Sequence, residues 1–383
     1  MTSRLNFICQ KPLFDIPADV TYLNAAYMTP LLKEATARGQ QAVAGKLHPW
    51  EIGISDFFDP PARACGLMAD MIGAKAEDIA LVPSVSYGAA IAVANLPLLP
   101  GQKILVLADQ FPSNVYPWQE MAKAHQAEVV TMARPMEGDW TAELLAALED
   151  EQVAIVACPQ AHWTDGSRVD LIALGRACRA KSVALVLDLT QSLGVMPFSV
   201  KEVDPDFMVV ASYKWLLGPY SYGFLYVAPR HQQGVPLEQG WIARQGSEDF
   251  TRLVDYQSAY LPGAGRFNMG ERSNFMLTPI VIHALEKLNE WGVEAIAEYL
   301  SGLTNMIAER GQDIGLKVSE EVFRSPHLIG LGFEGGVPEG LTEFLSERKI
   351  YVSVRGDSIR VSPHVYNEAQ DVENLFAALE DFL

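Results

Sequence analysis

A lysine stands alone in the stretch "MVVASYKWLLGPY", where an apolar run breaks at Ser212 and Lys214 falls between Tyr213 and Trp215. Lysine is normally a solvated surface residue. Held in an aromatic pocket it loses charge stabilisation, its pKa falls, and it can act as an amine nucleophile. Asp188, 26 residues upstream, ends a second apolar run, "VALVLD". If both runs are strands of an open α/β sheet, both side chains reach the crevice beyond the strands' carboxyl ends, where such folds bind ligands. A buried ion pair is one reading of this arrangement. The other is a site in which the amine joins an aldehyde cofactor and the acid protonates the cofactor's ring nitrogen.

Pyridoxal phosphate has both needs, and a phosphate besides. The stretch "VPSVSYGAAIAVANL" places Ser84, Ser86 and Gly88 between a strand pattern and an apolar helix. Serine there can simply cap the helix. The same free N–H groups and positive dipole end also bind phosphate. Phe111, in "DQFPSNVYPWQ", is followed by the loop signals Pro112, Ser113 and Asn114. A loop position favours stacking on a ligand over burial in a core. Arg360 interrupts the apolar strand pattern "SIRV", where a charge is costly unless paired. Either a salt bridge within its own domain or a bidentate substrate carboxylate accounts for it. Arg355, in "SVRGD", is a rival for the same role.

These residues need strands to hold them. Seven short runs, "DIALVP", "KILVLA", "AEVVTM", "VAIVAC", "VALVLD", "FMVVAS" and "GFLYVA", are mostly continuous in apolar character. Strands buried on both faces read this way. Helical patterns such as "YGAAIAVANL" and "LIALGRACRA" separate most of them, which predicts an α/β fold with a mostly parallel seven-stranded sheet between helices. From about residue 276 two long helical patterns lead into "HLIGLGF", "IYVSV" and "SIRV", the pattern of a smaller C-terminal α+β domain. The expected organisation is an N-terminal arm over 1–20, a large domain over 21–265, and a linking segment with the small domain over 266–383.

Composition narrows the function classes. Among 383 residues, 47 acidic against 29 basic give a formal charge of -18, which disfavours nucleic-acid binding, since that needs a basic face. The start "MTSRLNFICQKPLFD" has no apolar signal-peptide core. No apolar run approaches the roughly 20 residues a membrane helix needs, so a cytoplasmic enzyme is expected. Four scattered cysteines and seven unpaired histidines predict neither disulfides nor a metal site. The glycines of "GAGRFNMG" are wrongly spaced for a dinucleotide fold. A non-catalytic binding protein on the same scaffold should have lost Lys214 or Asp188, and both are present.

Eight segments in order, "YLNAAYMTPL", "PSVSYGAA", "DQFPSNVYPWQ", "HWTDGSRVDL", "DLTQSLG", "SYKWLLGP", "RFNMGERSN" and "IRVSPHVYN", resemble those of the class V aminotransferase family. These are fold-type I enzymes dependent on pyridoxal phosphate, a group that includes cysteine desulfurases, isopenicillin N epimerase-like proteins and kynureninase. The resemblance implies that Lys214 forms the internal aldimine and shuttles the substrate Cα proton, with Asp188 on the pyridine nitrogen. It implies that Gln191 bonds the ring's phenolic oxygen and that Phe111 covers the ring. Ser86, Tyr87, Asn114, Ser212 and Tyr213 fall on its cofactor-binding segments, and Gly270 and Glu271 on a loop that reaches the neighbouring subunit's phosphate. That last match implies a homodimer with shared active sites. Arg360 matches the arginine that grips an α-carboxylate; Asn24, Ala25, His162 and Trp163 match segments lining the substrate pocket. The substrate so implied is an amino acid or keto acid. No cysteine precedes Arg360 in "ERKIYVSVRGDSIRV", a departure from the desulfurases. Gln191 and Asn114 depart from kynureninase. The simplest activity is transamination; kynureninase-like or other C–C or C–S lyase chemistry, or epimerisation, is the alternative.

Overall fold

The computed structural model describes residues 7–136 and 138–383; the first six residues of the expected N-terminal arm lie outside the described residues. All seven apolar runs form one sheet. Its spatial order is Ile79–Val82, Gly223–Val227, Phe207–Ala211, Ala184–Asp188, Val153–Pro159, Lys103–Leu107, Glu128–Met132. Only Gly223–Val227 runs against its neighbours; the other pairings are parallel.

Alternation along the strands sorts the core into two layers. Leu105, Leu185, Leu187, Met208 and Val210 join one apolar cluster. Ile104, Val106, Val186, Val209 and Ala211 join the other, under the helices Val85–Asn95 and Tyr116–His125. Both faces are therefore covered, which is why the strands read as unbroken apolar runs. Gly88 lets the helix Val85–Asn95 lie directly on the sheet: a Cβ there would meet Val209 Cγ2 at 2.6 Å.

The C-terminal part carries a three-stranded antiparallel sheet in the order Ser353–Arg355, Ser358–Val361, Ile329–Gly332. The helices Val293–Asp313 and Ala369–Phe382 contribute Ile296, Leu300, Leu375 and Phe376 to its core. Two details differ from the sequence reading. "IYVSV" does not form one strand: Ile350–Tyr351 pairs in parallel with Thr21–Tyr22, and Ser353–Arg355 turns into the small sheet. The segment from residue 21, expected with the large domain, is thus stitched to the C-terminal part, and the Asn24–Ser362 bridge extends the stitch.

Candidate functional site

Six strands of the large sheet end on one side, and the loops beyond the carboxyl ends of five of them enclose a cavity of about 350 Å³. Ser84, Phe111, Trp163, Asp188 and Lys214 line it, each from a different strand end. The parallel arrangement brings together residues up to 130 positions apart.

Lys214 is 7% exposed. Its Nζ lies 5.5 Å from the ring centres of both Phe111 and Tyr213. Burial pushes its pKa down to about 8, against the opposing pull of Asp188; Arg360 and Arg355 add to the depression. Asp188 is equally buried. Burial raises its pKa, and bonds from Thr190 together with the Lys214 charge work the other way. One carboxylate oxygen accepts the Thr190 N–H at 3.0 Å. The amine and the acid face one cavity without forming a direct ion pair.

The loop holding Lys214 is fixed from outside the sheet. Thr29 Oγ1 donates to the Lys214 carbonyl at 2.6 Å, and its N–H donates to the Tyr213 carbonyl at 3.2 Å. Ser212 donates its hydroxyl to the Pro219 carbonyl at 2.8 Å and so closes the turn after the lysine instead of facing the cavity. At the helix start, Ser84 Oγ caps the Tyr87 N–H at 3.2 Å and lies 2.9 Å from Ser86 Oγ. The N–H groups of Val85 and Ser86 stay without intrahelical acceptors.

Gln191 lines the cavity, but its amide is largely engaged. Nε2 donates to the Ala26 carbonyl at 3.0 Å and Oε1 accepts from Trp215 Nε1 at 2.8 Å, leaving one amide hydrogen. Asn114 is buried beside Asp188 and Gln191 around a small void of about 20 Å³. Its Oδ1 accepts from Trp118, and its Nδ2 has no partner among the described residues.

Arg355 and Arg360 come from the stitched C-terminal part and stand behind Trp163, outside the lining of the cavity. Arg360 is 1% exposed, yet its Nε and Nη2 lack partners among the described residues. Nη1 donates to the Trp163 carbonyl at 2.7 Å. Burial, then Arg355, pushes its pKa down. Arg355 lies over the Trp163 indole at 5.1 Å, and its Nε is also unpartnered. Trp163 itself is set by a bond from Nε1 to the Asp109 carbonyl at 2.6 Å and meets Phe111 edge-on at 5.7 Å. The loop turns at Gly166, where φ is +77° and a Cβ would lie 2.0 Å from the Leu328 carbonyl oxygen.

Several expected residues sit elsewhere. His162 does not face the cavity: it stacks on Trp140, and its ring nitrogens contact the Ala108 carbonyl and Thr164 Oγ1. Burial lowers its pKa, so the ring is neutral packing behind Trp163. Asn24 accepts from Ser353 Oγ at 2.8 Å and, like Ala25, stands behind the lining. Tyr87 and Gly270 converge on Glu238, whose carboxylate accepts the Gly270 N–H at 2.5 Å and raises the Tyr87 pKa alongside burial. Glu271 is exposed, with φ at +54°. Neither Gly270 nor Glu271 lines this chain's own cavity, and both were expected at a neighbouring subunit's phosphate instead. Sequence reasoning missed Thr190, Thr29 and the Tyr220–Tyr222 wall; only the position of Thr190, two residues after Asp188, was a usable signal.

Comparison with known proteins agrees with this geometry. The class-V aminotransferase family model matches residues 63–375, and the chain belongs to that family. An uncharacterized aminotransferase, YcbU of Bacillus subtilis, is 26% identical over 319 residues, 80% of this chain and 79% of the relative. A kynureninase of Myxococcus xanthus is 27% identical over 332 residues, 82% and 77% of the two chains. The fold superposes on the apo cysteine desulfurase of Thermococcus onnurineus with a TM-score of 0.85 at 18% identity, covering 98% of both.

The family's cofactor is pyridoxal 5′-phosphate. The donor set fits it: a buried amine without a partner, a buried acid facing it, a helix start with free N–H groups, and an aromatic wall at Phe111. Among the described residues no helix is long and apolar enough to cross a membrane.

Proposed function

We propose that the protein is a pyridoxal-phosphate enzyme acting on an amino acid at its Cα, most simply an aminotransferase. The observation that carries this is the shared cavity of Lys214 and Asp188, each with its pKa moved by burial toward the neutral form. When bound, the cofactor supplies an aldehyde that condenses with amines and a ring that accepts charge from the substrate Cα.

Asp188 would hold the ring nitrogen, and Gln191 the phenolic oxygen through its remaining amide hydrogen. Ser86, the helix start and Tyr213 would hold the phosphate, and Phe111 would cover one ring face. At neutral pH a lysine of pKa about 8 is neutral in roughly one molecule in ten, a few hundred-fold more than an ordinary surface lysine. Lys214 would supply both the amine that holds the cofactor's aldehyde and the base that holds the substrate Cα proton. Arg360 anchors the α-carboxylate through its unpartnered Nε and Nη2 and so sets which Cα bond faces the base. Phe111 and Trp163 exclude water from that proton.

Desulfurase chemistry needs a thiol at the substrate, and none of the four cysteines lines the cavity; Cys65, Cys158 and Cys178 are buried in the core. We include the homodimer in this proposal. Val43, Leu47, Trp50 and Ile54 form an exposed apolar set, and Tyr220, 64% exposed, stands at the cavity's lip; surfaces of this kind mark interfaces.

The test is a half-reaction: the loaded protein is mixed with single amino acids in the absence of a keto acid. Transamination predicts stoichiometric conversion to the aminated cofactor with release of the keto acid. Release of ammonia, pyruvate or alanine over many turnovers would replace it with lyase chemistry. Solvent deuterium at Cα with loss of chirality would replace it with epimerisation.

A further inference from the structure

One arginine suffices to grip an α-carboxylate, and two stand behind Trp163, which lines the cavity. The hairpin of Ser353–Arg355 and Ser358–Val361 pairs Ser353 with Arg360 and Arg355 with Ser358. Residues directly opposite in an antiparallel pair share a face, as do residues two apart on one strand. Arg355 and Arg360 therefore project from the same face as diagonal neighbours, about 7–8 Å apart along the hairpin.

Both guanidinium groups hold the same tryptophan. Arg360 donates to the Trp163 carbonyl, and Arg355 lies over its ring. Trp163 lines the cavity that contains Lys214. Both arginines keep donors without partners: Nε and Nη2 of Arg360, Nε of Arg355. Neither forms an ion pair among the described residues.

The acids near this loop are already engaged. Asp165 pairs with Arg134 and accepts from Ser167 Oγ at 2.8 Å, and Asp109 lies 3.9 Å from Arg134 Nη2. Asp188 sits on the sheet side with Lys214. Both arginines add, after burial, to the depression of the Lys214 pKa. Arg360 is buried and Arg355 half-buried, and two like charges this close are unfavourable unless an anion answers them. A single carboxylate, gripped by Arg360 from its buried side, leaves Arg355 unanswered.

We propose that the substrate is an α-amino acid with a second anionic group on a short side chain, Arg360 taking the α-carboxylate and Arg355 the distal anion. The spacing of the two arginines suits acids of the aspartate or glutamate size, or a sulfinate or phosphonate of similar reach. This rests on the reading of the cavity as an amino-acid site and names the side chain that site selects. Arg355 is then the specificity-determining residue, and its planar fork suits the bidentate geometry.

The experiment uses the loaded protein and ligand pairs that differ only in charge. Aspartate is compared with asparagine, and glutamate with glutamine, by the apparent dissociation constant for the change in cofactor absorbance near ~420 nm. Inert succinate is compared with its monoamide, succinamate, by calorimetry, which needs no turnover. The acid of each pair should bind about 30-fold or more tightly than its partner, the scale of one desolvated charge pair. Arg355→Gln should erase that advantage, while Arg360→Gln should weaken both members of each pair. Equal binding of acid and amide in the unmodified protein overturns the proposal even if Arg355→Gln fails to fold. So does a parallel loss for both members in Arg355→Gln, which would mean the two arginines clamp one carboxylate. If the amino acids change the absorbance without a charge preference, only this inference falls. If the protein takes up no cofactor, or none of the four amino acids changes its absorbance, the underlying amino-acid reading falls with it.

Discussion

Asp188 and Asp206 are two buried carboxylates at opposite ends of neighbouring strands, and they behave in opposite ways. Asp206 precedes Phe207–Ala211 at the amino end of the sheet's parallel strands. It accepts from Arg179 at 2.5 Å, from the Leu185 N–H at 2.7 Å and from Arg230 at 2.7 Å, and it contacts His231 at 2.7 Å. Those partners outweigh burial, and its pKa falls. Asp188, at the carboxyl end of Ala184–Asp188, has the Thr190 N–H and little else; burial wins and its pKa rises. The arginines divide the same way. Arg179 and Arg230 have carboxylate partners at the amino end, while Arg355 and Arg360 form no ion pair among the described residues. A fold saturates the charges it uses for itself. Those it leaves unanswered mark the end where a ligand works.

Exchanging the two acids for amides should separate these roles. Asp206→Asn leaves two arginines without their shared carboxylate, and unfolding free energy should fall by about 3–5 kcal/mol, the cost of breaking a buried ion pair. Asp188→Asn removes a buried charge with few partners. Its cofactor-free form should be at least as stable as the parent at pH 7 in chemical denaturation. Its turnover should drop by about 100-fold or more, as when one preorganised electrostatic partner is lost. If Asp188→Asn destabilised as severely as Asp206→Asn, the division between the two ends would be wrong.

Arg360→Ala probes the same contrast from the substrate side. Apparent affinity for an amino acid should weaken by about 2–5 kcal/mol, the cost of truncating one partner of a desolvated charge pair. An unchanged dissociation constant would assign the α-carboxylate to another group.

Lys214→Met addresses the cofactor-free protein. The folded-state pKa of Lys214 lies near 8, below the 10.5 of a free lysine. Burial of the cation therefore costs stability in full below pH 8, and the cost fades as pH rises toward 10.5. On the linkage scale the penalty is about 3 kcal/mol at neutral pH. Lys214→Met should raise the Tm at pH 7, and the gain should shrink steadily up to pH 10.5. A gain independent of pH would mean that the amine is not held in a desolvated pocket.

The sheet was legible because its strands are buried on both faces, so seven apolar runs became seven strands. The helices Lys33–Gly45 and Ile54–Ile72 were not. The first has glycines at its middle and end, and the second carries Pro60 and Pro61 in its interior; only packing against the helix Thr278–Trp291 makes them worthwhile. In the site, Lys214, Asp188 and Arg360 could be singled out because each sets a charge against an apolar run. His162 could not be placed, since nothing local shows that its ring stacks on Trp140. Thr29 was invisible for the opposite reason: its bond to the Lys214 carbonyl spans 185 residues.

Borohydride reduction of the loaded protein, followed by peptide mapping, tests the central claim most directly. Reduction should fix one pyridoxyl group per chain, at Lys214, and Lys214→Ala should lose both that label and turnover. A label on another lysine, or an active Lys214→Ala protein that keeps its cofactor absorbance, would contradict the account.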